Sequence, residues 1–238
     1  MKKLMFATAL IAAGVAVADV TSANIVGYKE NGLRMGQSFL APCFIDVGAA
    51  EEGVDILNLK PTGNYTSGTI IISKLSASGR DIANYPFIKD RKGNWYWAIG
   101  TTAIKEGEVV LGPGEGVSVT GDNGLGVTAS GEVSSKDRAI PLRFGQTFTG
   151  NFTAAPLDIT KIVPGGNYTS GTIIISRLSA SGRDIANYPF IKDRKGNWYW
   201  AIGTTKIEEG EVVFEPGEGF SVTGDNGLTI TIPGPTLN

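Results

Sequence analysis

The 24 residues GRDIANYPFIKDRKGNWYWAIGTT stand twice in the chain, at 79–102 and at 182–205, without one substitution. A chain that repeats itself folds as repeating units, and the offset between copies sets their size. At an offset of 103, Asn64–Leu125 matches Asn167–Leu228, and only positions 74, 103, 105, 111, 112 and 117 differ from their partners. Upstream the match weakens: VDILNLKPTGNYTSG faces LDITKIVPGGNYTSG, and LRMGQSF (33–39) faces LRFGQTF (142–148) at an offset of 109. The six extra residues of the first copy fall in CFIDVGAAEEG. Each copy is therefore about 100 residues, the size of one ordinary domain. The expected organisation is a leader over 1–18, one β-domain over 19–133 and a second over 134–238, joined near SGEVSSKDRA.

Within a copy the pattern is that of strands. TIIISKL is a β-branched run, NWYWAI alternates aromatic faces, and GVSVT and LGVTA are short alternating pieces. Turn residues punctuate them in PTGN, KDRKGN, GPGEG and TGDNG, and Gly93 and Gly124 can take the positive φ that a tight hairpin requires. The 33 glycines and the lack of a long 3.6-residue period exclude a helical repeat. Six to eight short strands per copy imply an all-β fold, a β-sandwich or small barrel, with one weak helical turn around VDILNL.

The first residues, MKKLMFATALIAAGVAVADV, have the make-up of a secretory signal: Lys2 and Lys3, an apolar run from Leu4 to Val15, and Ala16-Val17-Ala18 before Asp19. The run is shorter than the roughly 20 apolar residues needed to span a bilayer. Cleavage there leaves 19 basic residues against 23 acidic ones, a net charge of −4. With no basic patch, nucleic acid is not an expected partner. Cys43 is the single cysteine, so no intramolecular disulfide forms, and its apolar neighbours mark a small buried hydrophobe.

The chain has no histidine. Ser-His-Asp and Cys-His nucleophiles, His-ligated zinc and the usual base near neutral pH are excluded with it. A carboxylate-pair glycosidase needs only two acids, for which Asp81, Asp90, Glu115 and their copies Asp184, Asp193 and Glu218 are available. All read as turn residues, solvated or capping backbone amides. GDNG is too short for a calcium loop, and the glycine spacings do not match a phosphate-binding loop, so no metal or cofactor is expected.

The aromatic cluster is the remaining candidate for binding. Strand alternation puts Trp95, Trp97 and Ile99 on one face and Tyr96 on the other. Either both tryptophans are core, or an exposed aromatic offers a flat platform for a sugar ring or a partner. The candidate ligand residues are Trp95, Trp97 and Tyr85, with Trp198, Trp200 and Tyr188 in the second copy, rimmed by Arg80, Asp81 and Asn84. From Asn64 to Thr102 the copies differ only at Lys74/Arg177, whereas the preceding forty or so residues have drifted apart. Either a segment was copied recently, or both copies present one surface, and two equal sites raise avidity without a new contact.

The SANIVGY start after the signal, the LSASGRDIANYPF loop, the PGEG turns, the SGEV join and the ITIPG ending together resemble a family of secreted bacterial tandem β-domain proteins. No activity is assigned to that family, so the resemblance implies a build and an address and carries over no site residue. The second copy lacks a counterpart of NIVGY. The expected function is a non-catalytic structural or adhesive protein, exported to the cell envelope or extracellular layer, partnered by itself, other envelope proteins or glycans. The alternative is a bivalent carbohydrate-binding module built on the repeated aromatics.

Overall fold

The computed structural model describes residues 26–42, 44, 45, 53–133, 136–179, 181 and 184–234. The leader over 1–18, Cys43 and most of the longer first-copy loop lie outside the described residues. The protein is all-β and sandwich-like. The first copy contributes β1 (Val26–Gly32), β2 (Gly36–Leu40), β3 (Phe44–Ile45), β4 (Val54–Asp55), β5 (Lys60–Thr62), β6 (Ile71–Leu75), β7 (Ile82–Lys89), β8 (Trp95–Ile99), β9 (Thr102–Ala103), β10 (Val110–Leu111), β11 (Val117–Gly121) and β12 (Gly126–Val133). The second contributes β13 (Arg138–Pro141), β14 (Gly145–Gly150), β15 (Leu157–Asp158), β16 (Val163–Gly165), β17 (Ile174–Leu178), β18 (Ile185–Lys192), β19 (Trp198–Ile202), β20 (Thr205–Lys206), β21 (Val213–Phe214), β22 (Gly219–Gly224) and β23 (Thr229–Ile232). The strands outnumber the six to eight expected per copy because several are two-residue pairings between bends.

Each copy builds the same antiparallel sheets. The order β2-β11-β6-β7-β8-β9 is repeated as β14-β22-β17-β18-β19-β20. A smaller sheet centres on β12, paired with β1, β5 and β3, and on β23, paired with β13 and β16. Ribbons β4–β10 and β15–β21 complete the sets. Gly32 faces Gly126 in the first copy, and Pro141 faces Thr229 in the second. Those pairs are equivalent under the two sequence offsets, so Arg138–Pro141 occupies the place of β1 without resembling its sequence. Backbone pairing needs an extended segment in register rather than particular side chains.

The inner faces supply two apolar clusters. One gathers Ile72, Leu111, Val119 and Val127, and the other Ile175, Phe214, Val222 and Ile230. β11 shows the period of two: Val117 and Val119 point into the cluster. The weak helical turn is a 3₁₀ turn, Ile56–Asn58 and again Ile159–Lys161. Asp55 and Asp158 start these turns by accepting from the amides of Leu57 and Thr160, each at 2.8 Å. Gly93 and Gly124 adopt φ of +95° and +85° at their hairpins.

Candidate functional site

The hairpin β7–β8 sets Phe87 opposite Trp97 and Lys89 opposite Trp95. Trp97 is 2 % exposed and Trp200 3 % exposed. Their indole N–H groups donate to the carbonyls of Leu59 (2.9 Å) and Ile162 (3.0 Å), which satisfies the one polar group of a buried tryptophan. These two candidate ligand residues are core, and neither ring is open to a sugar. Trp95 and Trp198 are half-buried. Each lies parallel to a phenylalanine, Phe87 or Phe190, at 5.4 Å between centroids, with Tyr65 or Tyr168 edge-on at 5.0 Å. The ammonium groups of Lys89 and Lys192 stand 5.6 Å from the same indoles. Ile99 does not join the tryptophans. β8 leaves β7 after Trp97 and pairs with β9, so the alternation breaks: Ala98 is buried and Ile99 exposed.

A groove of about 300 Å³ runs beside Trp198 in the second copy, lined by Thr160, Pro164, Tyr199 and Lys206 among others. The equivalent first-copy positions are Leu57, Pro61, Tyr96 and Ala103. A hydroxyl and an ammonium are thus exchanged for aliphatic groups, and the two copies do not offer equal chemistry at this point.

Tyr85 and Tyr188 lie apart from the tryptophans, because nothing on β8 stands beside Tyr85 once that strand has turned away. They sit instead near the contact between the copies. There the edge strands β2 and β14 meet, and Phe39 packs on its own counterpart Phe148 at 5.2 Å between centroids. The amide of Ala41 donates to Gly217 O (3.2 Å), and that of Gly116 to Phe148 O (2.9 Å). Arg34 Nη1 donates to Leu178 O (2.7 Å), and Arg143 Nη1, its counterpart, to Leu75 O (3.4 Å). Residue i of one copy meets j of the other, and j meets i, which is the pattern of a two-fold contact. Gly116 is required there: a Cβ would lie 2.7 Å from the amide nitrogen of Thr149 and 2.8 Å from its carbonyl oxygen. Gly219 approaches Phe39 and Leu40 in the same way.

The PGEG glutamates close this contact. Glu115 accepts from the amide of Gly112 (3.1 Å) and from Lys74 Nζ and Arg143 Nη2, both at 3.1 Å. Glu218 accepts from the amide of Glu215 (3.0 Å) and bidentately from Arg177, at 2.7 and 2.8 Å, with Arg34 at 3.9 Å. Both cap backbone amides, as their turns imply, but neither is solvated: the side chains are 15 % and 13 % exposed. Burial opposes the Arg177 charge, yet the Glu218 carboxylate outweighs it and raises the guanidinium's pKa. Burial, aided by the Glu115 charge, raises the Tyr85 pKa and keeps its hydroxyl protonated. Arg34 and Arg143 were not singled out from sequence, although the matched LRxGQxF segments carry them.

The other acids have separate duties. Asp90 Oδ1 accepts from the amides of Lys92 (2.8 Å) and Asn94 (2.9 Å) and Oδ2 from Asn94 Nδ2 (2.9 Å), and Asp193 repeats this with Lys195 and Asn197. Bonds from the asparagine side chain and amide hold both carboxyls below the usual carboxylate range. Asp81 and Asp184 are exposed. Among the described residues, no three metal-ligating side chains gather, and no helix is long and apolar enough to cross a membrane. No protein-family model and no curated protein matches the chain.

Proposed function

We propose that the protein is a non-catalytic structural or adhesive unit, exported to the cell envelope or extracellular layer. The carrying observation is that the duplicated passage exposes the same two isoleucines in each copy. Ile82 and Ile185 are 55 % and 57 % exposed, and Ile99 and Ile202 47 % and 48 %, on copies joined by a contact of two-fold pattern. A body that exposes the same isoleucines twice can bridge two neighbours, and bridging gains avidity by linkage. The leader and the resemblance to secreted tandem β-domain proteins support the address. The test is sedimentation velocity of the chain lacking residues 1–18 over a range of concentrations, with co-sedimentation against envelope fractions. Self-association or envelope binding, lost in Ile82→Lys/Ile185→Lys, is expected. A strictly monomeric protein that binds no fraction refutes the reading.

A second reading, carbohydrate binding, is favoured at one place by the groove beside Trp198. It predicts glycan-array signals that disappear in Trp198→Ala and persist in Trp95→Ala. Its basis is the chemistry of the second copy, since Lys206 and Thr160 are replaced by Ala103 and Leu57 in the first.

A further inference from the structure

Lys74/Arg177 is the lone difference across 39 residues of each copy, and it falls at the junction between copies. Arg177 grips Glu218 bidentately, and its guanidinium lies 5.2 Å from the Phe214 centroid. Tyr188, on the neighbouring strand β18, is 8 % exposed. In the first copy Lys74 is shorter and turns to Val110 O (2.6 Å) and Glu115, and Leu111 stands where Phe214 does. Tyr85 is correspondingly only half-buried. A cleft of about 470 Å³ remains there, lined by Lys74, Ala83, Tyr85, Glu108, Glu115 and Arg143.

We infer that this cleft, between the copies and beside Lys74, is a binding site for a neutral saccharide. Its size lies within the range of small-ligand sites, which combine apolar lining with a few convergent polar groups. Lys74 and Arg143 balance Glu108 and Glu115, so the lining has no net charge and does not select an ion. Arg143 commits two of its five donor hydrogens, to Leu75 O and Glu115, and keeps three. The protonated Tyr85 hydroxyl adds a further donor, and the Glu115 and Glu108 oxygens are acceptors. Donors and acceptors side by side match sugar hydroxyls, each of which both donates and accepts. Tyr85, Ala83, Leu75 and Val109 supply apolar surface for the C–H side of a ring. The inference is independent of the adhesive reading, and the site is distinct from the groove beside Trp198.

The test is isothermal titration of the full chain with cellobiose, maltose and N,N′-diacetylchitobiose, and with glucuronate as the charged comparison. One molecule of a neutral disaccharide should bind per chain. Lys74→Arg/Leu111→Phe, which gives the first copy the second copy's residues, should weaken binding at least tenfold. Arg177→Lys/Phe214→Leu should open the other cleft and raise the stoichiometry to two. Lys195→Ala, on an exposed hairpin turn, should leave affinity and stoichiometry unchanged. Circular dichroism confirms folding, and should the first variant not fold, the stoichiometry of the second decides. The inference is overturned by no binding of any neutral disaccharide, by stronger binding of glucuronate, by a stoichiometry that stays at one in Arg177→Lys/Phe214→Leu, or by binding that Lys74→Arg/Leu111→Phe leaves intact.

Discussion

Replacing Glu218 by Gln should destabilise the protein more than replacing its sequence twin Glu115. Glu218 Oε2 accepts from Arg177 Nη2 at 2.8 Å and from the Glu215 amide at 3.0 Å, while Oε1 accepts from Arg177 Nε at 2.7 Å. A glutamine keeps the shape but turns one of these oxygens into a donor facing donors, and leaves a partly buried guanidinium without its counter-charge. Exposed pairs contribute about 0.2–1 kcal/mol, and breaking a fully buried pair costs about 3–5 kcal/mol. With 13 % exposure on the carboxylate and 28 % on the arginine, the bidentate pair falls between, at about 2 kcal/mol. Glu115 meets Lys74 and Arg143 through single contacts of 3.1 Å, so about 1 kcal/mol is expected there. For a chain of this length the losses correspond to Tm decreases of roughly 4–8 °C and 2–4 °C by scanning calorimetry. A double-mutant cycle of Glu218→Gln with Arg177→Gln should return a coupling of at least ~1 kcal/mol. Equal Tm shifts for the two glutamates, or a coupling near zero, would show that the bidentate geometry does not set the difference.

Trp97→Ala should cost about 3–5 kcal/mol in urea unfolding, and Trp95→Ala only about 1–2 kcal/mol, because the first ring is core and the second half-buried. Gly219→Ala should cost about 1–3 kcal/mol by forcing the copies apart at Phe39, and should split the unfolding profile into two transitions, whereas Gly100→Ala, at an open turn, should keep one. Asn94→Ala should raise the Asp90 carboxyl, followed by NMR titration, because it removes the largest cause of the lowering. The sign follows from linkage. A carboxyl lowered on folding favours the native state above its unfolded value of ~4, and that contribution is lost as pH falls through the folded value.

The local build of this protein is readable in its residues. The hairpin glycines, the PGEG turns and the Asp-started turn at VDILNL each depend on neighbours a few positions away, and each stands where the pattern places it. Two features escaped. β13 could not be matched to β1 by sequence, since Arg138–Pro141 shares only a backbone register with it. The pairing of Glu218 with Arg34 joins distant parts of the chain, and nothing local to PGEG reveals which arginine completes the turn. The aromatic motif was half legible. Alternation correctly put Trp95 and Trp97 on one face, but depth along that face decides which ring is buried, and depth depends on where β8 parts from β7.

The contact at Phe39 and Phe148 has the form of a homodimer written into one polypeptide. Two identical chains meeting there would carry the same residue on both sides at every position, so any change would appear twice. Fusion into one chain lifts that constraint, and linkage holds the partners at an effective concentration on the order of millimolar even if one side changes. Lysine can then take the place of arginine, and leucine that of phenylalanine, with the tyrosine beside one junction half-buried and its twin buried. A dimer of equals has no means of keeping its two halves different.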